Sequence, residues 1–165
     1  MGTLIVIEND KVEGTDKHNV KGDATNPGAP PPTIPYVGVG DYKYKGKMTD
    51  ALSDFVTVDG KPVALIDSKS SLNPGETAMG GGHHPASGSN FLPSAPAPIP
   101  PSLDFAPGEQ IGEGKPSSGT GSTFVTVGGT AILLDGDAID TCDGLGVPAN
   151  STVTAENQDF VSCSE

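Results

Sequence analysis

The chain has 165 residues, of which 34% are hydrophobic and 5% aromatic, with no Trp, 23 Gly and 16 Pro. So few apolar side chains among so many turn formers exclude a thick conventional core and call for another source of rigidity: a metal, a disulfide or a partner surface. The nine basic residues are all Lys, and against 21 acidic residues they leave a net charge of −12, which repels DNA, RNA and anionic lipid surfaces and sets nucleic-acid binding aside.

Taken in order, residues 3–7 predict a first short strand that can pair at an edge. The apolar run Leu4 to Ile7 is too short for a signal-peptide core or a membrane span, so the expectation is a soluble chain made in the cytoplasm, without stable membrane insertion. Glu8 to Asp23 is polar and contains His18. Asn26 to Pro35 carries five prolines and predicts extended, polyproline-like backbone. Lys43, Lys45 and Lys47 alternate with Tyr42 and Tyr44, which on so acidic a chain reads as a solvated strand or loop face. Met48 to Phe55 is the one window that could form a short helix.

Phe55 to Ile66 reads as a complete β-hairpin, with β-branched and aromatic residues running up to Asp59-Gly60, a dipeptide that accepts the left-handed backbone of a tight turn. The pattern returns at Phe124 to Asp135, offset by 69 residues. Phe-Val-Thr-Val, the turn glycine and Leu65/Leu134 are shared, six identities in twelve, which points to an internal structural repeat. Between the copies lie a Ser-rich turn region (67–76), a glycine hinge bearing His83 and His84, and a stretch from Phe91 to Pro107 with six prolines. That stretch predicts an extended strap over the surface. Gly108 to Lys115 resembles a phosphate-binding loop, but its spacing is one residue too long and Pro116 stands where Ser or Thr belongs. No Gly-x-Ser-x-Gly elbow or His-Glu-x-x-His helix is present, and the sequon at Asn150 reads as a turn.

The three histidines (18, 83, 84) and two cysteines (142, 163) are the residue types from which a tetrahedral zinc site is built, although their spacing is not that of a zinc finger. Surface histidines with a Cys142–Cys163 disulfide are the other reading, weakened by cytoplasmic synthesis.

The first hairpin, Val58-Asp59-Gly60-Lys61-Pro62-Val63-Ala64, and the stretch Gly136-Asp137-Ala138-Ile139-Asp140-Thr141-Cys142 after the second resemble the PAAR-repeat proteins that cap the spikes of contractile injection systems. Ser151 to Val161 resembles the last half-hairpin of the same fold. Leu65 stands where the namesake motif has Arg, and the second turn, Gly128-Gly129-Thr130-Ala131, lacks Lys-Pro, so the likeness is to a PAAR-like variant. It implies a single PAAR-like domain over 1–165, mainly β: a small cone of short hairpins with pseudo-repeats and long Pro/Gly-rich loops, with an inserted strap at about 87–121. It also implies one structural zinc ion held by His18, His83, His84 and Cys142.

The implied function is structural and non-enzymatic. The protein would cap and sharpen a trimeric β-helical spike protein (VgrG-like), one copy per trimer, with possible effector cargo. It would stand at the tip of the assembled particle and meet the target envelope on firing. Leu4, Val6, Phe55, Val58, Phe124 and Val127 are the apolar residues available for the base. The alternatives are a small β-rich zinc-dependent enzyme or effector with an open fourth position on the metal, and, third, a binding module held by a disulfide.

Overall fold

The computed structural model describes residues 2–28, 32–142 and 147–164, and the chain is mainly β. Two strands dominate. β2 (Lys11–Thr25) and β3 (Thr33–Asp50) pair antiparallel in unbroken register from Lys11↔Lys47 to Thr25↔Thr33. Successive side chains of a strand point to opposite faces. The even-numbered positions therefore face inward, among them Val12, Asp16, His18 and Val20 on β2 and Tyr42, Tyr44 and Met48 on β3, while Lys43, Lys45 and Lys47 stand outside.

The lower part of this hairpin belongs to a closed ring of staves. β3 pairs β6 (Lys69–Leu72), β6 pairs β10 (Glu113–Pro116), β10 pairs β13 (Ala138–Thr141), β13 pairs β14 (Ser151–Thr154), and β14 returns to β2. Closure leaves this part of the sheet without an open edge. Its filling is Val6, Val12, Tyr44, Met48, Ala64, Leu133, Ile139, Cys142 and Val153.

One end of the barrel has near three-fold order made by a single chain. The hairpins are β4–β5 (Thr57–Val58, Lys61–Pro62), β11–β12 (Thr126–Val127, Thr130–Ala131) and β15–β1 (Ser162–Cys163 with Thr3–Leu4). Both turn residues of the first two have left-handed φ: Asp59 and Gly60 (50° and 75°), and Gly128 and Gly129 (59° and 90°). The strands that follow meet in a cyclic triad in which Val6 N donates to Leu133 O (3.0 Å), Leu133 N to Ala64 O (2.9 Å) and Ala64 N to Val6 O (2.9 Å). Ile5↔Leu134, Leu65↔Ile132 and Ile7↔Val63 bridge in the same cyclic order.

The polar fastenings repeat too. Ser53 Oγ, Ser122 Oγ and Gln158 Oε1 each accept the amides of the following Phe-Val pair, at 2.8–3.4 Å. Ser68, Asp137 and Asp10 each accept the amide three residues earlier, at 2.7–2.8 Å. The third copy is thus split between the chain's two ends, so that the half-hairpin expected at the C-terminus is completed by the strand expected at residues 3–7.

Two expectations are corrected. Met48 to Phe55 forms no helix: Met48 is buried inside the barrel, its N and O bonded to Asp10 O and Asn9 N (both 2.9 Å), and Ala51 turns the chain with φ 52°. The proline stretch is also more than a surface strap. β7 (Ser89–Leu92) pairs β3, while β8 (Ala97–Pro98) and β9 (Asp104–Phe105) pair β2. Leu103 is buried with Val20, Ala24, Tyr36 and Tyr42, because β2 and β3 rise beyond the ring of staves and need cover.

Candidate metal centre

Above the barrel, four buried side chains converge: Asp16, His18, His83 and Cys142, each offering one ligand atom, all within 4.8 Å of one another. This group could hold a metal ion. Asp16 and His18 lie two apart on the inward face of β2. Cys142 follows β13, and His83 comes in on the glycine hinge.

The hinge is anchored on both sides. His83 N donates to Glu76 O (2.7 Å), Gly82 N to Glu76 Oε2 (3.1 Å) and the Tyr42 hydroxyl to Pro85 O (2.9 Å). Only glycine fits at 82, since a Cβ there would lie 2.3 Å from Lys43 O; the close approach read from the glycine run is real. The His83 ring meets Tyr44 edge-on at 5.5 Å between centroids.

Each group in the cluster is oriented by a neighbour. Glu109 Oε2 lies 3.1 Å from His18 Nδ1, and Glu109 is itself held by Asn19 N (3.2 Å) and Asn19 Nδ2 (2.7 Å). With Nδ1 engaged, His18 Nε2 is left buried and without a hydrogen-bond partner, as is His83 Nδ1. Burial is the main cause that lowers the His18 pKa, against the Glu109 hydrogen bond, which acts the other way. The imidazole is therefore held in the neutral form that binds metals.

Asp16 Oδ1 accepts the Thr141 hydroxyl and Asn150 Nδ2 (2.8 Å), while Oδ2 lies 2.7 Å from His83 Nε2. Cys142 Sγ lies 3.5 Å from the same nitrogen. Two ligands on one tetrahedral zinc, at about 2.3 Å for sulfur and 2.0–2.1 Å for nitrogen, stand about 3.5 Å apart, which is the Cys142–His83 separation, whereas the 2.7 Å between Asp16 Oδ2 and His83 Nε2 is a hydrogen-bond distance. In residue type and in lying within 4.8 Å of one another the four fit such an ion.

Three of the four expected ligands, His18, His83 and Cys142, are brought together. His84 is not. Neighbouring residues in extended backbone point to opposite sides, and at His84 (φ −87°, ψ 135°) the ring turns away and its Nδ1 accepts Ala86 N at 3.1 Å. Asp16 escaped the sequence reading, although the spacing Asp16-x-His18 would have placed both on one face had Glu8 to Asp23 been read as a strand. The disulfide reading finds no support, since Cys142 and Cys163 are buried thiols in different apolar clusters.

Fold and site define a small closed β protein with one three-fold-like end and a buried group of metal-ligand type. Comparison with protein-family models, with curated proteins and with solved structures finds no match for this chain. Among the described residues no helix is long and apolar enough to cross a membrane.

Proposed function

We propose that this protein is a structural spike tip of a contractile injection system, a PAAR-like cap seated on the end of a trimeric β-helical spike. The observation that carries the reading is the three-fold-like end. Phe55, Phe124 and Phe160, equivalent in the three hairpins, are 72%, 75% and 64% exposed. The surface beside them is lined by Ile5, Val56, Val58, Val125, Val127 and Val161. Three large exposed aromatics in one repeated setting are a liability for an isolated molecule and a natural contact for a partner. A partner with three-fold symmetry is the one that such a face matches copy for copy.

In this reading the ion is zinc, and its role is mechanical. When bound, zinc cross-links β2, the His83 hinge and the end of β13, segments far apart in sequence, into one rigid body. Within it, His18 lies seven residues along β2 from Lys11, about 23 Å at 3.3 Å per residue. A non-catalytic role is supported by the geometry: Asp16 and Cys142 both approach Nε2 of His83, whereas a nucleophile relay needs the carboxylate on the other ring nitrogen. All four groups are also at most 3% exposed, which leaves a substrate no access.

The test is to mix the protein with a truncated trimeric spike protein encoded beside it and measure the mass of the complex by light scattering. One chain per trimer is expected; three chains per trimer, or no complex at any salt concentration, removes the reading.

A further inference from the structure

Resting on the metal reading above, we infer that Asp16, not a third histidine, is the fourth ligand, so that the ion occupies a closed Asp-His-His-Cys set. Three independent features point there. First, Asp16 is aimed. Its Oδ1 is tied to the Thr141 hydroxyl and Asn150 Nδ2, and Thr141 Oγ1 is in turn 2.7 Å from Ser151 Oγ. The carboxylate cannot swing away, and Oδ2 faces His83 Nε2 and the thiol.

Second, the charge closes. A divalent ion with one thiolate, one carboxylate and two neutral imidazoles is neutral, whereas a thiolate with three imidazoles leaves one positive charge. At sites 0–3% exposed an unbalanced charge is costly. Third, His18, whose Nδ1 is engaged by Glu109, keeps a buried Nε2 without a hydrogen-bond partner two positions from Asp16 on the same face of β2, so the two can take one ion together. Without the ion, a proton bridges His83 Nε2 and Asp16 Oδ2. The ion takes that place, the imidazole proton moves to Nδ1, and the thiol proton passes to solvent.

The experiment uses the full chain loaded with zinc. X-ray absorption at the zinc edge should show one sulfur and three nitrogen or oxygen neighbours, with the outer-shell signature of two imidazoles. Competition against a chromophoric chelator should then show wild-type affinity for His84→Ala and a loss of more than about 100-fold for Asp16→Asn, beyond the 10–100-fold typical of residues that only orient a ligand. Three imidazoles in the spectrum, or a smaller loss for Asp16→Asn, overturns the inference while leaving the zinc site standing. Should Asp16→Asn not fold, the imidazole count on the wild-type chain decides. A wild-type chain that takes up no zinc removes both the site and the inference.

Discussion

Cys142 and Cys163 are both buried, yet different chemistry is expected of them. Cys142 Sγ sits 3.5 Å from His83 Nε2; Cys163 Sγ sits 3.6 Å from Ser122 Oγ, among the apolar residues beneath the hairpins. With free zinc at 100 times its dissociation constant, an ion bound only by the folded chain adds about 2.7 kcal/mol of stability. A chelator should therefore lower the melting temperature of the wild-type protein and of Cys163→Ser, and have no effect on Cys142→Ser, whose melting temperature is already reduced. Equal responses of both variants to the chelator would remove the metal from the account. Asp41 supplies a separate, electrostatic test. Its carboxylate pKa is lowered, chiefly by the hydrogen bond from Lys17 and with help from Asn90. A depressed folded-state pKa stabilises fully above the unfolded value and is lost as pH falls through the folded one. Asp41→Asn should thus make stability less dependent on pH below about pH 4, as read from acid unfolding curves.

The hairpins were legible in the sequence because their determinants are local: apolar alternation, a turn dipeptide and a repeat of both. β2 was not, and β3 only as a solvated strand or loop face at Lys43, Lys45 and Lys47, with the burial of Tyr42 and Tyr44 on its other side missed, although these are the longest strands. The inward positions of β2 are shared among Val12, Gly14, Asp16, His18, Val20 and Gly22, so its apolar period of two is broken by glycines, where staves crowd together, and by the residues of the metal group. The third hairpin was half visible, since its strands lie at opposite ends of the chain and share only Phe-Val with the other two. Its fastening is also the most heavily bonded: Gln158 accepts from Phe160 N and Val161 N and donates to Ile5 O and Val161 O (2.8–3.2 Å). Removing a buried partner costs about 1–3 kcal/mol for each group left unsatisfied. Denaturant midpoints should accordingly fall modestly for Ser53→Ala and Ser122→Ala and furthest for Gln158→Ala. A Gln158→Ala midpoint equal to wild type would show that the third hairpin, which joins the two ends of the chain outside the ring of staves, adds nothing to stability.

The three hairpins place Phe55, Phe124 and Phe160 outside the core, and this separates binding from stability. Replacing all three by Ser leaves the buried core intact, because each is at least 64% exposed, and their amides keep the fastenings on Ser53, Ser122 and Gln158. Each single change should move the melting temperature by no more than a degree or two, since surface changes of this kind usually fall within about 0.5 kcal/mol. Binding to a spike trimer should respond differently, since burying one such side chain is worth about 1.5–3 kcal/mol. A single Phe→Ser change is then expected to weaken the complex roughly 10- to 100-fold, by a similar factor at each of the three positions if the partner is three-fold symmetric. Isothermal titration of the three single variants against the truncated trimer measures this. Unequal losses, with one phenylalanine dominant and two silent, would mean a partner that reads a single hairpin, and the three-fold order of this end would then belong to folding alone.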